Sequence, residues 1–181
     1  MTESMVLENQ EVTQLLYHNR RFKTEEWFQL PPIPEDMGLG SAACTFGDDI
    51  YVAGGKNTMA AFFQFETRKN AWVKLAPLNM GRRNHVHVAI GNRLYVLGGL
   101  NNEVTTLSSV ECYDISKAQW TDVGNLHTAV RSSGSAVIGI YNTPNFTICI
   151  RLQPFENNAI ELDVNPLITN PKYLRRGKFI F

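Results

Sequence analysis

The chain has 181 residues, 44% of them hydrophobic and 19% charged, with 17 basic and 17 acidic side chains that cancel. This composition excludes disordered and low-complexity classes, and zero net charge supplies no field that would draw in nucleic acid or an anionic membrane. No run of 18 apolar residues occurs and the opening MTESMVLENQEVTQ is too polar for a secretory signal, so the expected location is the cytoplasm, with the nucleus open.

In chain order, residues 1–11 read as an N-terminal extension and 12–34 as half a repeat unit: two strands with Tyr17 and Trp27 ten apart and no Gly-Gly strand before them. A full unit follows over about 39–82. Its strands are SAACTFG, DIYVAGG, AAFFQFET and AWVKL, each rich in β-formers and bounded by Gly, Asn, Asp or Pro. A second unit over 83–130 repeats the order as HVHVAIG, RLYVLGG, SSVECYDI and QWTDV.

The period is regular: Tyr51 to Tyr95 and Gly55 to Gly99 both span 44 residues, and Phe65 precedes Trp72 by seven just as Tyr113 precedes Trp120 by seven. A fixed period of this length marks a repeat architecture. Gly54-Gly55 and Gly98-Gly99 predict strand ends on an inner strand crowded toward an axis, while Phe65, Trp72, Tyr113 and Trp120 predict bulky outer strands. Sheets small inside and large outside are wedges, and wedges around an axis make a β-propeller.

Beyond 130, VRSSGSAVIG starts a further unit over 131–139, with Arg131 opposite Arg83, and then the pattern stops. No Gly lies between Gly139 and Gly177, no Trp follows Trp120, and Pro154, Pro166 and Pro171 interrupt any long element. Residues 140–181 therefore read as an irregular tail outside the propeller, as in a truncated or alternatively spliced chain or a gene-model artefact. The rival reading is a degenerate blade, with FTICIRL and NAIELDV as short strands.

Catalytic constellations are not legible. His85 and His87 alternate on one strand, with His127 as a conceivable third ligand, but paired strand histidines are ordinary polar positions and no metal spacing surrounds them. Asp48-Asp49 and Glu25-Glu26 sit in turns rather than as a convergent acid and base pair. No P-loop, G-x-S-x-G or H-E-x-x-H occurs. Cys44, Cys112 and Cys149 lack C-x-x-C spacing and read as reduced, buried thiols, and Asn145-Phe146-Thr147 as a chance sequon. No enzyme activity, metal or other cofactor is expected.

Tyr51, Gly54, Gly55, Phe65 and Trp72, then Tyr95, Gly98, Gly99, Tyr113 and Trp120, with Arg82-Arg83 opening a unit, resemble kelch repeats, and the second unit is especially similar to those of kelch-like proteins. The resemblance implies an all-β, partial and open kelch-type propeller of two complete four-stranded blades plus half units, since about four to eight blades are needed to close a ring. Unprotected ends of such an array would leave apolar flanks and marginal stability.

The resemblance also implies a protein-binding module whose contacts lie before the first strand of each unit and after each Gly-Gly. Carried onto this chain, those positions are Gly40 and Ser41; Arg82, Arg83, Asn84 and His85; Arg131, Ser132 and Ser133; and the loop residues Lys56, Asn57, Asn101 and Asn102. Arg83 and Arg131 have two readings, convergence on an acidic peptide or pairing with neighbouring backbone. Kelch-like proteins join such a propeller to BTB and BACK domains, absent from these residues, and recruit a cullin ubiquitin ligase. The implied role is substrate recognition for that ligase, and the alternative is an actin or cytoskeletal partner.

Overall fold

The computed structural model describes residues 29–132 in full, and the backbone of strands within 4–7, 15–18, 27–28, 134–139, 146–151 and 159–163. Among these residues every element is a strand or a connection. Strands β1 (Ser4–Leu7), β2 (Leu15–His18) and β3 (Trp27–Gln29) form one antiparallel sheet. The first full unit is a four-stranded sheet of β4 (Ala42–Phe46), β5 (Asp49–Ala53), β6 (Phe62–Glu66) and β7 (Ala71–Lys74), paired in chain order. The second repeats it with β8 (Val86–Ile90), β9 (Arg93–Leu97), β10 (Ser109–Asp114) and β11 (Gln119–Asn125). A last sheet pairs β12 (Gly134–Gly139), β13 (Phe146–Arg151) and β14 (Ala159–Asp163).

The first strands of successive sheets are neighbours, β4 beside β8 and β8 beside β12. They line a common axis from which the sheets radiate, so the expected arc of propeller blades, two of them complete, is what forms.

Three sequence expectations change. Ser4–Leu7 pairs with β2 in the register Met5↔Tyr17, so a strand sits where an extension was expected. The strands within FTICIRL and NAIELDV join β12, in the registers Ala136↔Cys149 and Ile148↔Leu162, so these residues extend the array rather than standing outside it. The reason is physical: alternating β-branched residues suffice for pairing within a blade, whereas the missing glycines and tryptophan serve packing between blades. The remainder of 140–181 lies outside the described residues. Finally, the double glycines end β5 and β9, the second strands, not the innermost β4 and β8.

Burial explains the strand sequences. β5 and β9 are buried on both faces because each blade is sandwiched between neighbours. Ile50 and Val52 pack with Leu30, Ile33, Met37, Phe63 and Phe65 on one side of the first blade. Tyr51, Ala53 and Phe62 face the second blade and meet its Leu94, Val96, Tyr113 and Trp120. Phe62 lies at the centre, edge-on to Tyr113 at 4.9 Å and to Trp120 at 5.0 Å between ring centroids. Full burial of side chains this large is worth roughly 2 kcal/mol each, so the interface between blades is a main source of stability. The second blade's far face buries Val86, Val88, Tyr95, Leu97, Val110 and Cys112.

One polar contact repeats with the period. Trp72 Nε1 donates to Pro31 O at 2.7 Å and Trp120 Nε1 donates to Ala76 O at 2.9 Å. In each case the acceptor lies four residues after the preceding unit's tryptophan. The outer-strand tryptophan thus fills the wedge with its ring and pins the incoming connection with its N–H.

A candidate protein-binding rim

Antiparallel order places the connections at two ends. Tight hairpins close β4–β5, β6–β7, β8–β9 and β10–β11 at one end, while residues 36–41, 54–61, 75–85, 98–108 and 126–132 gather at the other. Of the binding residues expected from the sequence, every one among the described residues lies in these second-end connections.

The double glycines are why those connections can converge. A Cβ on Gly54 would meet Arg82 O at 2.2 Å, on Gly55 Met37 O at 2.2 Å, on Gly98 Val130 O at 2.5 Å and on Gly99 Arg83 O at 2.7 Å. What crowds each glycine is the backbone flanking the first strand of its own or the following blade, and this allows Gly55 N–H to donate to Arg82 O and Gly99 N–H to Val130 O. Only residues without a side chain permit that approach.

Through these contacts three successive units align one position in a row. Asn84 N–H donates to Gly40 O at 2.7 Å, and Ser132 N–H donates to Asn84 O at 2.8 Å, with Asn84 Nδ2 to Ser132 Oγ at 3.2 Å. All three residues have positive φ, at 78°, 54° and 50°. The row runs across the blades at the loop end and carries Ser41, Arg83 and Arg131 beside it. Arg83 is half-buried, its N–H and C=O both paired with Leu100, while Arg131 and Ser132 are exposed. Ser133 lies outside the described residues.

The loops after the double glycines differ from each other. Lys56 and Asn57 are exposed, but their backbone N–H groups donate to Leu39 O and Met37 O, and Asn57 Nδ2 donates to Asp36 at 2.6 Å. The longer second loop closes on itself, with Asn101 half-buried and Asn102 exposed.

Two expected rim residues are corrected to internal ones. Arg82 is 0% exposed, and all five of its N–H groups are engaged: Nε with Met80 O, Nη1 with Gly98 O and Ser109 O, Nη2 with Ser109 Oγ and with Glu111 at 2.6 Å. Glu111 also accepts the N–H groups of Asn79 and Met80. This pair clamps the interblade connection onto the second blade and leaves nothing of Arg82 for a partner. Glu111 is legible in retrospect as a carboxylate at the position where the first unit has Phe63.

His85 is likewise buried, against the double glycines, with His87 at 6.4 Å between ring centroids. Apart from a 3.4 Å approach of His87 Nδ1 to Ala42 O, their ring nitrogens have no hydrogen-bond partner. Among the described residues no three His, Cys, Asp or Glu side chains cluster as metal ligands would. Burial, with His87 and Arg82 adding to it, holds His85 well below the ordinary imidazole value, and burial takes His87 to about 4 against the contact with Ala42.

Both histidines are therefore neutral in the fold, while the unfolded chain takes up protons near pH 6.5. Stability should be complete above that pH and fall as pH drops from 6.5 toward 4, by roughly 3 kcal/mol for His87 alone. Urea midpoints measured between pH 7 and 5 check this. His87→Phe should flatten the decline, and an equal decline in that variant would refute the assignment.

Cys44 is half-buried and Cys112 buried, and burial pushes both thiols up, away from thiolate reactivity.

Comparison with known proteins finds a family model described as Kelch motif over residues 37–79 and 81–127, coincident with the two four-stranded sheets. Kelch-like protein 35 of Mus musculus is 32% identical over 114 residues, covering 63% of this chain and 20% of that protein. Kelch-like protein 24 of Homo sapiens is 37% identical over 91 residues, 50% of this chain and 15% of its own length. Kelch-like protein 33 of Homo sapiens is 32% identical over 123 residues, 64% of this chain and 23% of its own. The chain spans about a fifth of the length of these relatives.

Proposed function

This chain is a kelch-repeat protein, a protein-interaction module, and from that premise we propose that its loop-end rim captures substrates as part of a kelch-like adaptor for a cullin-RING ubiquitin ligase. Recruitment of the cullin would fall to a BTB domain of the whole protein, and the cytoplasm or nucleus would be where the capture takes place. The observation that carries the reading is the row Gly40, Asn84 and Ser132, which sets Arg83 and Arg131 in register on successive blades. Rigid strands presenting side chains on loops are the usual form of a protein recognition surface. Arginines at one backbone position on successive blades suit an acidic segment, which guanidinium groups hold by charge-assisted hydrogen bonds.

The test compares the chain with its Arg83→Glu/Arg131→Glu variant, each used to isolate proteins from a cell extract, with quantitation of everything retained. Specific partners should fall at least about tenfold in the variant while the thermal midpoint stays within a few degrees. Retention of the same proteins at the same level would refute the rim. Cosedimentation with filamentous actin, lost in the same variant, would instead assign the rim to the cytoskeletal class.

A further inference from the structure

Among the described residues, five other than glycine have positive φ: Asn70, Asn84, Val104, Ala118 and Ser132. The repeat accounts for four of them. Asn70 and Ala118 both stand two residues before their unit's tryptophan, in the hairpin between the third and fourth strands, and Asn84 and Ser132 belong to the rim row. Val104, at φ 61°, has no counterpart in the other unit and is the residue least suited to that backbone region, since its branched Cβ crowds the carbonyl. Strain in a non-glycine residue persists only where surrounding structure imposes it, and such positions gather at functional sites.

The surroundings impose it visibly. Leu100 bridges Thr106, Asn101 N–H donates to Thr105 O, Val104 N–H donates to Asn101 O, and Thr105 N–H donates to Asn101 Oδ1 at 2.9 Å. The segment is a closed, self-bonded hairpin on the rim, four residues longer than the corresponding loop of the first unit. Yet the strain is not offset by burial: Val104 is 58% exposed, and Asn102, Glu103 and Thr105 around it are exposed as well.

We propose that the hairpin from Asn101 to Thr105 is a preorganised finger whose Val104 side chain packs on an apolar side chain, flanked by a Lys or Arg that meets Glu103, in an extended segment of the protein held by the rim. The inference rests on the rim being a protein-binding surface and adds which residue anchors there. A finger already rigid loses little entropy on docking, and a small apolar anchor at its tip suits a single apolar side chain of an extended segment. Glu103 is the finger's one charged residue, so the complementary neighbour of that apolar side chain is basic.

The experiment uses the full chain as bait for phage-displayed random peptides of about 15 residues, with affinities of the selected peptides measured by fluorescence anisotropy. Enrichment of an apolar residue beside Lys or Arg is expected, with affinity falling at least about tenfold for Val104→Asp and for Val104→Gly. Val104→Gly also relieves the backbone, so its thermal midpoint should equal or exceed that of the parent, which separates lost binding from lost folding. Val123→Asp, at an exposed valine on β11 outside the finger, should leave affinity unchanged. Peptides that bind both Val104 variants as well as the parent overturn the anchor, and so does a library that yields no binder. If those peptides still lose affinity to Arg83→Glu/Arg131→Glu, the rim reading survives without the finger; indifference to both sets removes both.

Discussion

Replacing Arg82 by methionine is expected to destabilise the chain by about 3–5 kcal/mol, the usual cost of leaving one member of a buried ion pair uncompensated. Methionine matches much of the side-chain volume, so packing alone would account for little. The loss comes from Glu111, whose carboxylate would keep the N–H groups of Asn79 and Met80 but lose the guanidinium at 2.6 Å in a site that is 2% exposed. Gly98 O, Ser109 O and Ser109 Oγ lose their donor at the same time. Against a total stability of about 5–15 kcal/mol for a domain of this kind, the change is enough to unfold much of the population at physiological temperature. Adding Glu111→Gln should recover part of the loss, because a neutral amide can accept from the connection without carrying a buried charge. Urea denaturation of the parent, both single variants and the double variant gives the coupling. A loss below about 1 kcal/mol for Arg82→Met would mean that the pair is not the clamp.

Arg82 also shows where reading the sequence runs out. The repeat was legible because strand periodicity, double glycines and spaced aromatics are each written within a few residues, and the tryptophan offset survives a four-residue insertion. Arg82 and Arg83 are adjacent, have the same charge and together open a unit, yet one is buried and the other lies half-buried on the rim. What separates them is Glu111, 29 residues downstream, and pairings at that range have no local signature. His85 went astray for a related reason, since the double glycines open a space into which its ring fits. The rim row was legible as a set of positions, but its geometry depends on three units bonding in series. Val104 was invisible because positive φ at a β-branched residue contradicts every local preference. The extra strands at the two ends differ for the opposite reason: glycine pairs and tryptophan belong to packing between blades, while pairing within a blade asks only for alternation.

Gly54→Ala is the second large effect, and it separates close approach from backbone strain. Alanine would place its Cβ 2.2 Å from Arg82 O and 2.8 Å from His85 Cε1, at φ +63°. Gly91, at φ +59°, has nothing within 4 Å of an added Cβ, so Gly91→Ala carries the same strain without the clash. Gly91→Ala is expected to cost about 1–2 kcal/mol, the penalty for an ordinary residue in the left-handed region. Gly54→Ala should cost about 4 kcal/mol or more, in the range reserved for backbone collisions and broken buried networks. The surplus arises because the obstacle is a main-chain carbonyl that also accepts from Gly55 N–H at 3.1 Å. Moving it displaces Arg82 and with it the clamp on Glu111. Gly54→Ala combined with Arg82→Met should therefore cost clearly less than the sum of the two, since the first already disturbs what the second removes. Equal losses for Gly54→Ala and Gly91→Ala would show that the double glycine answers only to backbone conformation. A surplus with subadditivity would show that it exists to let one blade's backbone reach the next, the contact on which the rim is built.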